Sequence, residues 1–218
     1  GVNGKAATSE GGVVARGQDG KAGQGTKAHP FEIWSQADVE AAYAGADPAR
    51  DFVYMKLMTN LVETITLDGG RGTMFYLDGH TIAGPDGAEG DEETDGQDGQ
   101  PALVISEGDE NISIFGEGAL AGGNGGDDFY GVDGAAGKPG KGALAYVKKG
   151  TGSLAIGDDV IRTNGTDGRT GDGTKEHPFL VGTEQEAEDA IAEGEDPVYI
   201  RLTADIDETI LIDESKKV

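Results

Sequence analysis

A stretch of nine residues occurs twice in this chain, and it limits the fold more than any other feature. Gly23-Gln-Gly-Thr-Lys-Ala-His-Pro-Phe31 returns as Gly171-Asp-Gly-Thr-Lys-Glu-His-Pro-Phe179, identical at seven of nine positions and 148 residues later. The likeness continues downstream. Ser35 to Asp38 aligns with Thr183 to Glu186, and Val53-Tyr-Met-Lys-Leu57 with Val198-Tyr-Ile-Arg-Leu202. Glu63-Thr-Ile65 aligns with Glu208-Thr-Ile210, and upstream Gly17 to Gly20 aligns with Gly165 to Gly168. Short repeats of 20 to 50 residues build solenoids and propellers; a period this long is a domain-sized unit in tandem. The expected division is therefore 1–22, the tail of a preceding unit; 23–170, a full unit; and 171–218, the start of a following unit.

Local signals fill in the unit. Ser35-x-x-Asp38 and Thr183-x-x-Glu186 have the spacing of capping boxes, in which two side chains satisfy free amides at a helix start. They predict short helices near 36–44 and 184–193. Gly45 and Gly194 stand where a left-handed residue closes a helix. Between the helices, short β-branched and aliphatic runs alternate with Gly/Asp turns, which read as strands. These are Val53–Leu57, Thr64–Leu67, Thr73–Leu77, Thr81–Ala83, Ala102–Ile105, Ile112–Phe115, Ala143–Val147, Ser153–Ile156 and Val160–Arg162. Glycine fills the connections, 39 residues of 218, while apolar residues make up only 36 %. Strands this short with so little apolar material suit a thin core built by stacking.

Composition removes several function classes. Cysteine is absent, so there is neither a disulfide framework nor a thiolate metal site. A formal charge of −24 repels phosphate backbones and argues against nucleic acid. No apolar run approaches the ~18 residues of a membrane span. Acidity without cysteine suits an extracellular or cell-surface protein. Gly131, Gly134, Gly137 and Gly140 fall every third residue; the run is too short for a collagen triple helix and reads as a side loop.

Four segments carry a resemblance. Leu77-Asp-Gly-His-Thr-Ile-Ala-Gly84, Ile114-Phe-Gly-Glu-Gly-Ala-Leu-Ala-Gly-Gly123 and Leu202-Thr-Ala-Asp-Ile-Asp-Glu-Thr-Ile-Leu-Ile212 resemble strand-and-corner motifs of right-handed parallel β-helix repeat modules in bacterial surface and adhesin-like proteins. The Gly-Thr-Lys-x-His-Pro-Phe segment with its capped helix resembles their entry. The resemblance implies an all-β fold, a right-handed parallel β-helix with short capping α-helices and Gly-rich side loops. It implies a structural or adhesive tandem-repeat module that is not an enzyme. Its expected partners are neighbouring copies, with end-to-end association into fibres, and a host or cell-wall glycan. For assembly the expected residues are Tyr199, Ile200, Leu202, Ile210 and Ile212.

Other readings stay open. Gly157-Asp-Asp-Val-Ile161 resembles a corner of the polygalacturonases, whose carboxylates work as general acid and base. This is the basis of the alternative, a polysaccharide-active β-helix enzyme fragment; that family's other motifs are missing here. Gly122-Gly-Asn-Gly-Gly-Asp-Asp-Phe-Tyr130 fits one copy of a calcium nonapeptide, and an acidic loop follows Gly84. Hard cations favour such oxygen donors. The candidate calcium ligands are Asn124, Asp127, Asp128, Asp91, Glu92, Glu93 and Asp95; no other cofactor is expected. Tyr130 beside Asp127 and Asp128 is the candidate glycan contact, which gives a third class, a non-catalytic glycan- or calcium-binding module. His29 and His177 hold equivalent positions before proline and are expected to serve the turn.

Overall fold

The computed structural model describes residues 23–91, 93–128 and 137–206. It divides into two compact units.

The first unit takes residues up to 84, 101–121 and 145–163. It opens with β1 (Phe31–Ile33), α1 (Gln36–Gly45) and β2 (Val53–Leu57), followed by β3 (Leu61–Val62), β4 (Ile65–Leu67), β5 (Thr73–Tyr76) and β6 (His80–Ala83). Then come β7 (Leu103–Ile105), β8 (Ile112–Phe115), β9 (Gly118–Ala121), β10 (Tyr146–Lys148), β11 (Leu154–Ile156) and β12 (Val160–Thr163). Three open sheets result, ordered β1-β2-β5-β8-β11, β12-β9-β6-β3 and β10-β7-β4, with every pair parallel. Side chains alternate across a strand, and the pairing puts buried residues in columns. Phe31, Met55, Phe75, Ile114 and Ile156 are paired in turn along the first sheet. Leu61, Ile82 and Leu120 do the same in the second, and Leu67 and Ile105 in the third. Helix α1 buries Val39 and Ala42 in the same cluster. Its Gln36 side chain accepts from the Thr66 N–H at 2.8 Å and donates to the Thr66 carbonyl at 3.4 Å. That amide stands where a further strand would pair with the outer side of β4.

The second unit takes residues 85–100, 122–144 and from 164 onward. It contains β13 (Phe179–Val181), α2 (Glu184–Glu193) and β14 (Ile200–Leu202), with β13 and β14 parallel. Its small core joins Phe179, Val181, Ala187, Ala190 and Val198. The rest is a bundle of extended segments at 85–91, 94–100, 122–128, 137–143 and 164–171, bonded to one another rather than arranged in a strand ladder. Glycine amides make the links: Gly87 N–H to the Asn124 carbonyl at 2.7 Å, Gly99 to Lys141 at 2.9 Å, Gly125 to Thr166 at 2.8 Å and Gly168 to Gly140 at 2.9 Å. A Cβ on Gly140 would run into the Gln97 carbonyl, and one on Gly126 into that of Ala88. Three-residue glycine spacing with backbones this close is the packing rule of polyproline-type bundles.

Several expectations are corrected. The chain is not the all-β right-handed parallel β-helix that the resemblance implies. It is mixed α/β: separate parallel sheets of two to five strands and two helices, with no sheet closed among the described residues. The reason lies in the core: the apolar residues gather into two clusters, and a helix supplies part of each. Of the glycine-rich run read as a side loop, residues 131–136 lie outside the described residues, while 137–143 is one of the bonded segments. Neither helix closes on a left-handed glycine: α1 ends with Ala46 at φ −72° and α2 with Gly194 at φ −65°. Gly194 is needed for space instead, since a Cβ there would lie 2.7 Å from Val198 Cγ2.

The repeated entry folds the same way twice. Gly23 and Gly25 have φ of +86° and +67°, and Gly171 and Gly173 have +95° and +79°. The Gln24 N–H donates to the His29 carbonyl at 2.7 Å, and the Asp172 N–H to that of His177 at 3.0 Å. Phe31 pairs with Met55 as Phe179 pairs with Ile200.

Candidate functional site

Of the candidate calcium and glycan residues that the structure describes, Asn124, Asp127, Asp95 and Asp91 each turn one side-chain oxygen to a backbone amide. Asp127 Oδ1 accepts from the Arg169 N–H at 2.7 Å. Asn124 Oδ1 accepts from the Thr166 N–H at 3.0 Å and its hydroxyl at 3.1 Å. Asp95 Oδ1 accepts from the Lys138 N–H at 3.3 Å. Asp98 and Asp86 of the acidic loop, and Asp167, do the same for Lys141, Asn124 and Gly142 at 2.7, 2.6 and 2.7 Å. Asp91 closes a local turn: its Oδ1 takes the Glu93 N–H, the Thr94 hydroxyl and the Thr94 N–H at 2.8–2.9 Å. Those bonds, the Glu93 amide first, hold its carboxyl below the usual range. Asp128 is fully buried; its N–H donates to the Arg169 carbonyl at 2.7 Å and its carbonyl accepts from Gly171 at 2.9 Å. Glu93 is exposed. Tyr130 and Glu92 lie outside the described residues, as do Ile210 and Ile212.

Five of the chain's Asx-Gly dipeptides, at 86–87, 95–96, 98–99, 124–125 and 167–168, share one arrangement. In each the glycine sits where backbones touch, and the Asx side chain receives an amide of a neighbouring segment.

Asp158 and Asp159 occupy the turn between β11 and β12, both exposed. Lys56 is paired with Asp78 at 2.6 Å, and Arg71 donates to the Asp47 carbonyl at 3.4 Å. Among the described residues no three acids or histidines gather closely enough to hold an ion. His29 and His177 do serve the turn, each N–H donating to a threonine hydroxyl three residues back at 3.1 Å. Of the assembly residues, Ile200 packs on the second core, while Tyr199 and Leu202 are 38 % and 54 % exposed.

A hollow of about 590 Å³ lies at the last strands of the first unit. Tyr146, Leu154 and Ile156 form its apolar lining, and Lys148 and Arg162 its polar lining.

No family model, no curated protein and no solved structure is similar to the chain. Among the described residues, no helix is long and apolar enough to cross a membrane. What the arrangement offers chemically is an acidic surface, several of whose carboxylates accept backbone amides, and a hollow that combines apolar side chains with two cations.

Proposed function

We propose that the chain is a structural and adhesive module of a large extracellular or cell-surface protein, used in tandem and acting through shape rather than turnover. The observation that carries this reading is the duplicated entry. Two segments 148 residues apart repeat the same positive-φ glycines, the same carbonyl bonds at His29 and His177 and the same strand pairing. Repetition of a whole scaffold element, together with carboxylates spent on backbone amides, supports a mechanical role. Incubation of the full chain with a panel of acidic and neutral polysaccharides tests it. Release of reducing ends or unsaturated products at a rate that scales with protein concentration refutes the reading. Glycan retention without product agrees with it.

A further inference from the structure

We infer that the hollow at the last strands of the first unit is a docking site for an extended peptide strand that carries two aliphatic residues followed by carboxylates. The site stands whether or not the chain works as a structural module.

The inference starts from where the columns of side chains end. Three strands, β10, β11 and β12, each lie at one edge of their sheet. Ile112 and Ile114, nearly inaccessible, pair with Leu154 and Ile156, which are half-exposed. In the other two sheets the buried column ends in a charge. Leu120 pairs with Arg162, and Ile105 with Lys148. The end of the core is therefore apolar along one sheet and carries one cation on each of the other two, beside Tyr146 and Val160. Neither cation is paired with a carboxylate among the described residues; Lys148 Nζ donates to the Gly150 carbonyl at 2.6 Å. Two such cations beside an aliphatic floor are conspicuous in a chain of formal charge −24.

The opposite edge of the third sheet is treated differently. There Gln36 of α1 binds both the N–H and the carbonyl of Thr66. That edge is blocked to pairing, so a second copy cannot simply continue the third sheet from its own β4. An open parallel edge accepts an added strand through its main-chain groups, and pockets for alternate side chains set the choice. Leu154 and Ile156 are two residues apart and call for aliphatic residues at the same spacing in the incoming strand. Lys148 and Arg162, which line the same hollow, call for carboxylates turned into it and away from Asp158 and Asp159, the exposed acids of the turn after β11.

Charges turned inward at an edge also serve simply to repel stray strands, and the test separates the two roles. The probe is a fluorescein-labelled peptide, Thr-Ile-Thr-Ile-Asp-Glu-Gly, titrated with the full chain at low salt and read by anisotropy. Saturable binding is expected with Kd below about 1 mM. A probe with Asn-Gln in place of Asp-Glu should bind at least about tenfold more weakly, as should the acidic probe to the Lys148→Glu/Arg162→Glu chain. Lys148→Gln/Arg162→Gln serves if the reversal lowers the melting temperature. Amide shifts should concentrate on β10, β11 and β12. Absence of saturation, equal binding of the neutral probe, equal binding by a charge variant that melts like the parent, or shifts elsewhere would each overturn the inference.

Discussion

Tyr43 and Thr73 make a polar contact inside an otherwise aliphatic core. Thr73 is wholly buried and stands in a column between Val53 and Ile112. Its hydroxyl donates to the Arg71 carbonyl at 3.0 Å, so the Tyr43 hydroxyl, 2.8 Å away, donates to it. The phenol oxygen in turn accepts from the Asp68 N–H at 3.2 Å. Tyr43→Phe should cost about 1 kcal/mol, read from the urea midpoint at pH 7. Burial, outweighing the Thr73 bond, pushes the phenol up to about 12 from 10.0. A raised pKa means that this contribution is whole below pH 10 and drains away as the pH rises toward 12. The stability difference between parent and variant should accordingly be flat up to pH 10 and shrink above it. Helical spacing puts Tyr43 with Val39 and Ala42 on one apolar face; its hydroxyl partner lies 30 residues away and is not legible in local sequence.

At the scale of elements, the two helices show how one residue alters a shared design. In α2 the capping box forms: Thr183 Oγ1 accepts from the Glu186 N–H at 3.2 Å, and Glu186 Oε2 accepts from the Thr183 N–H at 3.2 Å. In α1 it does not. Ser35 makes no cap bond, and its hydroxyl donates to Asp38 Oδ2 at 3.1 Å, which also accepts from the Trp34 N–H at 3.0 Å. Aspartate is one methylene shorter than glutamate, so satisfying that amide brings its carboxylate onto the serine hydroxyl. Thermal melts should show Thr183→Ala costing about 1 kcal/mol and Ser35→Ala only a few tenths. Helix extents were legible to within a residue, because caps and apolar spacing are local. Strand β9 was not recognised as a strand, because Gly118-Ala-Leu-Ala121 has weak β propensity; it exists because β6 and β12 pair with it on either side.

For the whole molecule, packing of bare backbones and net charge set the stability. Gly140→Ala drives a methyl into the Gln97 carbonyl of a neighbouring segment and should cost about 2–3 kcal/mol. Gly45→Ala is the contrasting case. Gly45 is the last residue of α1, and a methyl added there would meet only Phe31 Cζ, at 4.0 Å; alanine at this position should stabilise by about 0.5 kcal/mol. Urea midpoints of the two variants against the parent check both signs. With a formal charge of −24, self-repulsion opposes the compact state. Raising salt from about 10 to about 200 mM should therefore raise the melting temperature, and a fall would contradict this balance.

The repeat, the helix starts, most of the short strands and the strong acidity were all written in local pattern, where neighbours along the chain decide the outcome. The separation into two cores, the bonding of glycine-rich segments into a bundle and the turn of most candidate-site carboxylates toward backbone amides were decided only in three dimensions. A glycine before or after an aspartate looks like a corner in one dimension. Whether it is a corner or the one residue small enough for two chains to touch depends on which chain arrives beside it, and long-range packing alone sets that.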